Sequence, residues 1–173
     1  MTPSGQPEAH RDAEDIDFAL IELLFFAYRD FTSDPDEILG RYGFGRAHHR
    51  VLHFVNRRPG LTVAELLEVL RITKQSLARV LKQLVDGGYI MQVQGPRDRR
   101  QRELYATNKG HELALALAMP QSRRIHAALE EADIDDRRVI ERFLKSMVNA
   151  ELRTQFDRSR SKYGHSFDGG RDE

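Results

Sequence analysis

The sequence predicts a mainly α-helical fold carrying one small β-hairpin, and three observations predict it. Apolar residues recur at three- and four-residue spacing through most of the chain from residue 15 to residue 153. Two short strand-like segments, 89–94 and 101–106, flank a Gly-Pro turn rich in arginine. The length of 173 residues, with 31% charged and 40% hydrophobic side chains, suits one soluble domain with an aliphatic core. The absence of Cys excludes disulfide scaffolds, thiolate metal sites, Cys nucleophiles and thiol redox sensing together.

Residues 1–14, rich in Pro, Gly, Ser and acidic side chains, are expected to be a disordered lead. Over 15–31, Ile16, Leu20, Leu23, Leu24 and Phe31 form a helical stripe that Ile21, Phe25 and Tyr28 widen beyond what one neighbour covers. That excess is a first indication of a homodimer. The same stretch holds Asp17 and Glu22 and is shorter than the roughly 20 apolar residues a membrane span needs. With no apolar leader before it, a cytoplasmic protein without membrane contact is expected.

The segment SDPDEILGRYGFG, 33–45, reads as a connection, followed by a helix over Arg46–Asn56 with Ala47, Val51, Leu52 and Val55 inward. Thr62 with Glu65 three residues on is a capping box, opening a short helix that carries Val63, Leu66, Leu67 and Leu70. Thr73 caps the next, which places Leu77, Val80, Leu81 and Leu84 on one face and stops at Gly87-Gly88. A hairpin follows, its tip GPRDRR. Thr107 then caps a long helix that runs through Pro120 to about Ala132. Asp133 or Asp135 opens a last one with Val139, Ile140, Phe143, Leu144, Met147, Val148 and Leu152 on a wide apolar face. Residues 154–173 lose periodicity and are expected to be a flexible tail.

Helix, helix, tight turn, helix, hairpin, about 46–106, is the order of a winged helix-turn-helix, flanked here by dimerisation helices 15–31 and 107–153. Net charge is +0, yet Arg71–Arg102 holds eight basic side chains against two acidic ones, so this segment is at +6 and the remainder at −6. Concentrated positive charge points to a local anionic partner. On the second short helix the aliphatic residues share one side, leaving Gln75, Arg79 and Lys82 opposite, flanked by Ala78 and Gln83. Gln reads adenine and Arg reads guanine through paired hydrogen bonds in the major groove. Lys74, Gln75, Ser76, Arg79 and Lys82, with the cap residues Thr62 and Thr73, are therefore candidate contacts to double-stranded DNA. An ordinary solvated helix face would look similar, but the hairpin tip would not. Its Arg97, Arg99, Arg100 and Arg102 repel one another unless something anionic meets them, and a narrow minor groove is a natural partner. Asp98 is expected to pair with a guanidinium and hold the loop.

Residues 60–110, GLTVAELLEVLRITKQSLARVLKQLVDGGYIMQVQGPRDRRQRELYATNKG, resemble the MarR family of winged-helix transcriptional regulators. The wing pattern Asp-x-Arg followed by a strand and Thr-x-x-Gly is present as Asp98, Arg100, Thr107 and Gly110. The stretches FFAYRDFT and FGRAHHRVLHFVNRRPG resemble the PetP-type members. The resemblance implies a homodimer that meets a pseudo-palindromic operator, one half-site per subunit. It also implies a small aromatic or anionic effector between the dimerisation helices and the DNA-binding lobe, where this chain offers Arg29, Tyr42, Phe44, His48, His49 and His53. A ligand-responsive repressor with no cofactor is the resulting expectation.

Three other functions are weighed against it. His49 and His53 stand four apart on one helix, a spacing that can chelate a metal and would make a metal-responsive regulator, but a third ligand is needed. An enzyme is disfavoured, because the chain carries no P-loop, G-x-S-x-G, H-E-x-x-H or dinucleotide fingerprint, and no catalytic residues are assigned. A winged helix used only for protein contacts would seldom keep an arginine-rich tip.

Overall fold

The computed structural model describes residues 16–95 and 100–163. The expected lead, the hairpin residues 96–99 and the end of the expected tail, 164–173, lie outside them. Among the described residues the helices are α1 (Phe18–Gly40), α2 (Arg46–Arg57), α3 (Val63–Leu70), α4 (Lys74–Asp86), α5 (Asn108–Glu131), α6 (Arg137–Met147) and α7 (Ala150–Tyr163). The strands are β1 (Leu61–Thr62), β2 (Ile90–Gln94) and β3 (Arg102–Ala106). They form one antiparallel sheet in the order β1-β3-β2, with Leu61 opposite Leu104 and Ile90 opposite Ala106. β1 was not anticipated: two residues are too few to show alternation, and only the β3 edge makes them a strand.

The core is aliphatic and draws on nearly every element. Leu39 of α1, Leu52 of α2, Leu66 of α3, Leu77 and Leu84 of α4, Ile90 of β2, Leu104 of β3 and Leu117 of α5 are fully buried. The helix starts are capped as their sequences dictate. The Thr62 hydroxyl accepts from the Glu65 N–H while the Glu65 carboxylate accepts from the Thr62 N–H at 2.8 Å, and Thr73 accepts from the Ser76 N–H. At the start of α5, Thr107 accepts from the Gly110 N–H and donates to the Gly88 carbonyl at 2.6 Å. A Cβ on Gly110 would overlap the Tyr89 carbonyl oxygen, so Thr-x-x-Gly is what seats the long helix against the end of the helix-turn-helix.

Three expectations are corrected. The 33–45 connection is mostly helix: α1 runs on to Gly40, with Pro35 buried inside it. Proline cannot donate to the carbonyl four residues back. Here the side chain of Gln121 on α5 donates to that Phe31 carbonyl at 3.1 Å, and the helix passes through the proline. The last apolar helix is two, α6 and α7, parted at Val148-Asn149. The segment expected to be a flexible tail is helical as far as Tyr163 and is tied to α6 by a Lys145–Asp157 ion pair of 2.7 Å.

Burial divides the chain. The inner half of α1 is clamped to α5 by Arg124, whose guanidinium donates twice to Asp34 at 2.8 and 2.9 Å. The outer half is bare, with Phe18, Leu23, Phe25 and Tyr28 each more than 60% exposed. No residue of α6 is buried, and Val139, Phe143, Leu144 and Met147 lie exposed along it.

Candidate nucleic-acid interface

The four aliphatic residues of α4 enter the core, and Lys74, Gln75, Ala78, Arg79, Lys82 and Gln83 are all exposed. The face selected by the 100° spacing is thus the outer one. A shallow groove of about 410 Å³ lies beside it, bounded by Val63 of α3, Ala78, Lys82 and Asp86 of α4, Gln92 of β2 and Arg102 of β3. The outer face of α4 and the hairpin therefore border one concave surface. Lys82 is paired with Asp86 one turn on, an exposed contact that a phosphate can displace at little cost.

Not every candidate is free to act. The hydroxyl of Thr62 is engaged with Glu65, to which it donates at 2.8 Å, and Ser76 is half-buried, accepting from the Thr73 hydroxyl at 3.0 Å. Both belong first to helix capping, leaving Gln75 and Arg79 as the exposed base-reading types. Arg100 is exposed where the chain enters β3, and Arg97, Asp98 and Arg99 lie outside the described residues.

The six expected effector residues lie on α1, on the turn that follows it and on α2. Arg29 is exposed, pairing with Asp30 at 2.9 Å and lying over the Phe26 ring. Tyr42, Phe44 and His48 pack as a ring cluster with Tyr89, Phe44 stacking on His48 at 4.5 Å. Burial lowers the His49 imidazole below its usual range. Burial among neighbouring side chains, then the charges of His49, Arg57 and Arg58, push His53 down to about 4, although the residue still reaches the surface. Both shifts favour the uncharged imidazole. Among the described residues no group of three His, Cys, Asp or Glu side chains is placed to hold a metal.

A cleft of about 400 Å³ opens between α2–α3 and α6–α7, lined by Phe54, Val69, Leu144, Val148, Leu152 and Phe156 with Arg58, Lys145, Arg153, Glu141 and Gln155. The Gln155 Oε1 atom is buried there with no hydrogen-bond partner among the described residues. His53, alone of the six, borders a smaller neighbouring cleft with Arg57, Arg58 and Arg160. The cleft was missed because Gln155 and Phe156 of α7, which help to close it, fall in the segment read as a tail; the wide apolar face of α6 was the available signal.

An exposed polar recognition helix beside a two-stranded wing, carried on a buried helix-turn-helix core, defines a winged helix-turn-helix protein. The sequence profile of the MarR family matches residues 42–101. The HTH-type transcriptional regulator PetP of Rhodobacter capsulatus is 46% identical over 136 residues, which is 79% of this chain and 82% of that protein. This chain belongs to the MarR family of transcriptional regulators. Its fold is shared with a MarR protein from Peptoclostridium difficile, with TM-score 0.65 and 16% identity over 91% of this chain and 99% of that one. It is shared also with a MarR transcriptional regulator from Methanosarcina mazei, with TM-score 0.60 and 27% identity over 79% and 92%. A mutant E. coli MarR, solved in complex with operator DNA, gives TM-score 0.58 and 22% identity over 76% and 95%. Among the described residues no helix is long and apolar enough to cross a membrane.

Proposed function

We propose that this regulator is a homodimer that binds a pseudo-palindromic duplex operator in the cytoplasm and releases it on binding a small anionic or aromatic effector, acting as a repressor. The observation that carries the reading is the division of its exposed surface. The polar face of α4 lies beside the wing, whereas most of the exposed large apolar side chains belong to α1, α5 and α6, with Met91 and Val93 on β2 and Phe156 on α7 among the smaller remainder. A patch of that extent is typical of an interface between subunits. Two copies joined there would present two recognition helices, and half-site spacing then follows from the dimer. Gln75 and Arg79 read base edges, Lys74 and Lys82 meet phosphates, Arg100 enters the minor groove, and Asp98 orders the tip. An effector suits the cleft under α6–α7, with apolar walls and net positive lining, better than the aromatic cluster at Phe44 and His48.

Selection of bound duplexes from a random pool with the purified protein tests the reading. An enriched inverted repeat whose two half-sites sit about one helical turn apart is the expected product. Recovery of no preferred sequence would favour a winged helix that contacts only protein.

A further inference from the structure

His48 is the polar side chain that the core buries among the described residues, only 8% exposed, and both of its ring nitrogens are in use. Nδ1 accepts the Gly45 N–H at 3.1 Å, so it carries no proton. The neutral ring therefore has its proton on Nε2, which must donate, and 2.8 Å away stands Oε1 of Gln83 on the recognition helix. The ring is held in that orientation by Phe44, stacked on it at an interplanar angle of 8°, with Tyr89 meeting Phe44 edge-on at 5.3 Å. The first turn of α2 thus reaches across 35 residues of sequence to the third turn of α4.

The chemistry of the amide gives this contact a second consequence. With Oε1 engaged, Gln83 has only its Nε2 hydrogens left to offer. The residue is exposed, one helical turn beyond Arg79 and next to Lys82 on the outer face of α4. A primary amide that rotates freely presents oxygen and nitrogen equally, and half its orientations would set an acceptor against an anion. Here the buried imidazole selects the orientation that presents donors.

We propose that Gln83 donates to a backbone phosphate of bound DNA and that His48 is the positioning residue that turns its amide to do so. The inference rests on the reading of α4 as the DNA-contacting helix. It adds a neutral phosphate contact and a buried residue that acts on DNA only through it.

Substitutions at Gln83 separate this role from simple bracing of α4 against α2. Gln83→Glu keeps an acceptor for His48 but presents an anion outward; the melting temperature should hold or rise while operator affinity falls more than about tenfold. Gln83→Ala should weaken binding by about threefold to tenfold per half-site, equally on matched and mismatched operators, because a phosphate carries no sequence. Gln83→Lys supplies a donor that needs no buried partner, and should steepen the dependence of log affinity on log salt by about one per half-site. His48→Ala is then made in the wild-type and Gln83→Lys backgrounds, with folding followed separately by circular dichroism. The expected result is a loss matching Gln83→Ala in the first background and a clearly smaller loss in the second. Equal losses in both backgrounds would overturn the positioning role. Full operator affinity in Gln83→Ala and Gln83→Glu, with the wild type binding its selected duplex, would overturn the phosphate contact alone. A wild type that binds no duplex overturns this proposal together with the DNA reading beneath it.

Discussion

Leu52 and Phe25 are both large apolar side chains in the middle of helices, yet Leu52 is fully buried and Phe25 is 68% exposed. The difference holds for the regions they represent. The winged lobe, α2 through β3 with the first turns of α5, buries most of its aliphatic residues within one chain and caps α3, α4 and α5 with its own threonines. The outer half of α1 and all of α6 bury nothing. One region is complete as a single subunit, and the other leaves apolar surface exposed to water, the surface that the proposed second copy would cover. On the proposed dimer, stability of the chain and assembly of the regulator rest on different residues.

The sharpest way to break that comparison is to substitute one residue from each region. Phe25→Glu should leave the winged lobe folded but yield a monomer by light scattering, and operator affinity should drop about 10²–10⁴-fold as the second half-site contact ceases to be intramolecular. Leu52→Ala should do the reverse, costing about 2–5 kcal/mol in denaturant unfolding while the surviving folded protein still dimerises. A dimeric Phe25→Glu protein would contradict the assignment of α1 to assembly. Next in size, Arg79→Ala should cost about 1–3 kcal/mol of operator binding and relax preference at one base pair per half-site, with dimerisation unchanged.

Two smaller effects lie where the regions meet and are read through pH. His53, on α2 beside α7, is depressed to about 4 from the ordinary 6.5. The unfolded chain therefore binds its proton first, and stability present above about pH 6.5 should decline as pH falls towards 4. His53→Gln should remove that part of the slope in thermal melts taken across this range. Asp34 is held below its ordinary 3.8 by the hydrogen bond and charge of Arg124. Its contribution is present above pH 3.8 and is lost as pH drops through the lowered value, so the gap between wild type and Asp34→Asn should narrow only at the acid end. The effect should be small, because the pair is partly exposed.

Elements whose signals are local were readable from the residues. Thr62 with Glu65, Thr73, Gly87-Gly88 and Thr107 mark ends, because caps and stops act within four residues. The outward face of α4 followed from periodicity alone. Features that depend on a distant partner were not readable. Pro35 and its neighbours looked like a linker, because the donor that replaces the lost proline N–H is Gln121, far along the chain. The cleft under α6–α7 was not readable either, because α7, which closes it, carries a weak apolar stripe that gains meaning only against α2 and α3.

The sequence by itself determined the order of the helices, their caps, the split between buried and outward faces of the helix-turn-helix, and the positive charge of the wing segment. Each is a property of spacing or composition within a few turns of chain. Only the tertiary structure decided that α1 continues through its proline, that two residues at Leu61–Thr62 become a strand, that the last segment is helical, and that His48 meets Gln83. Those outcomes depend on which hydrogen-bonding group or apolar surface arrives from elsewhere in the chain to complete an unsatisfied one, and sequence distance carries no record of that arrival.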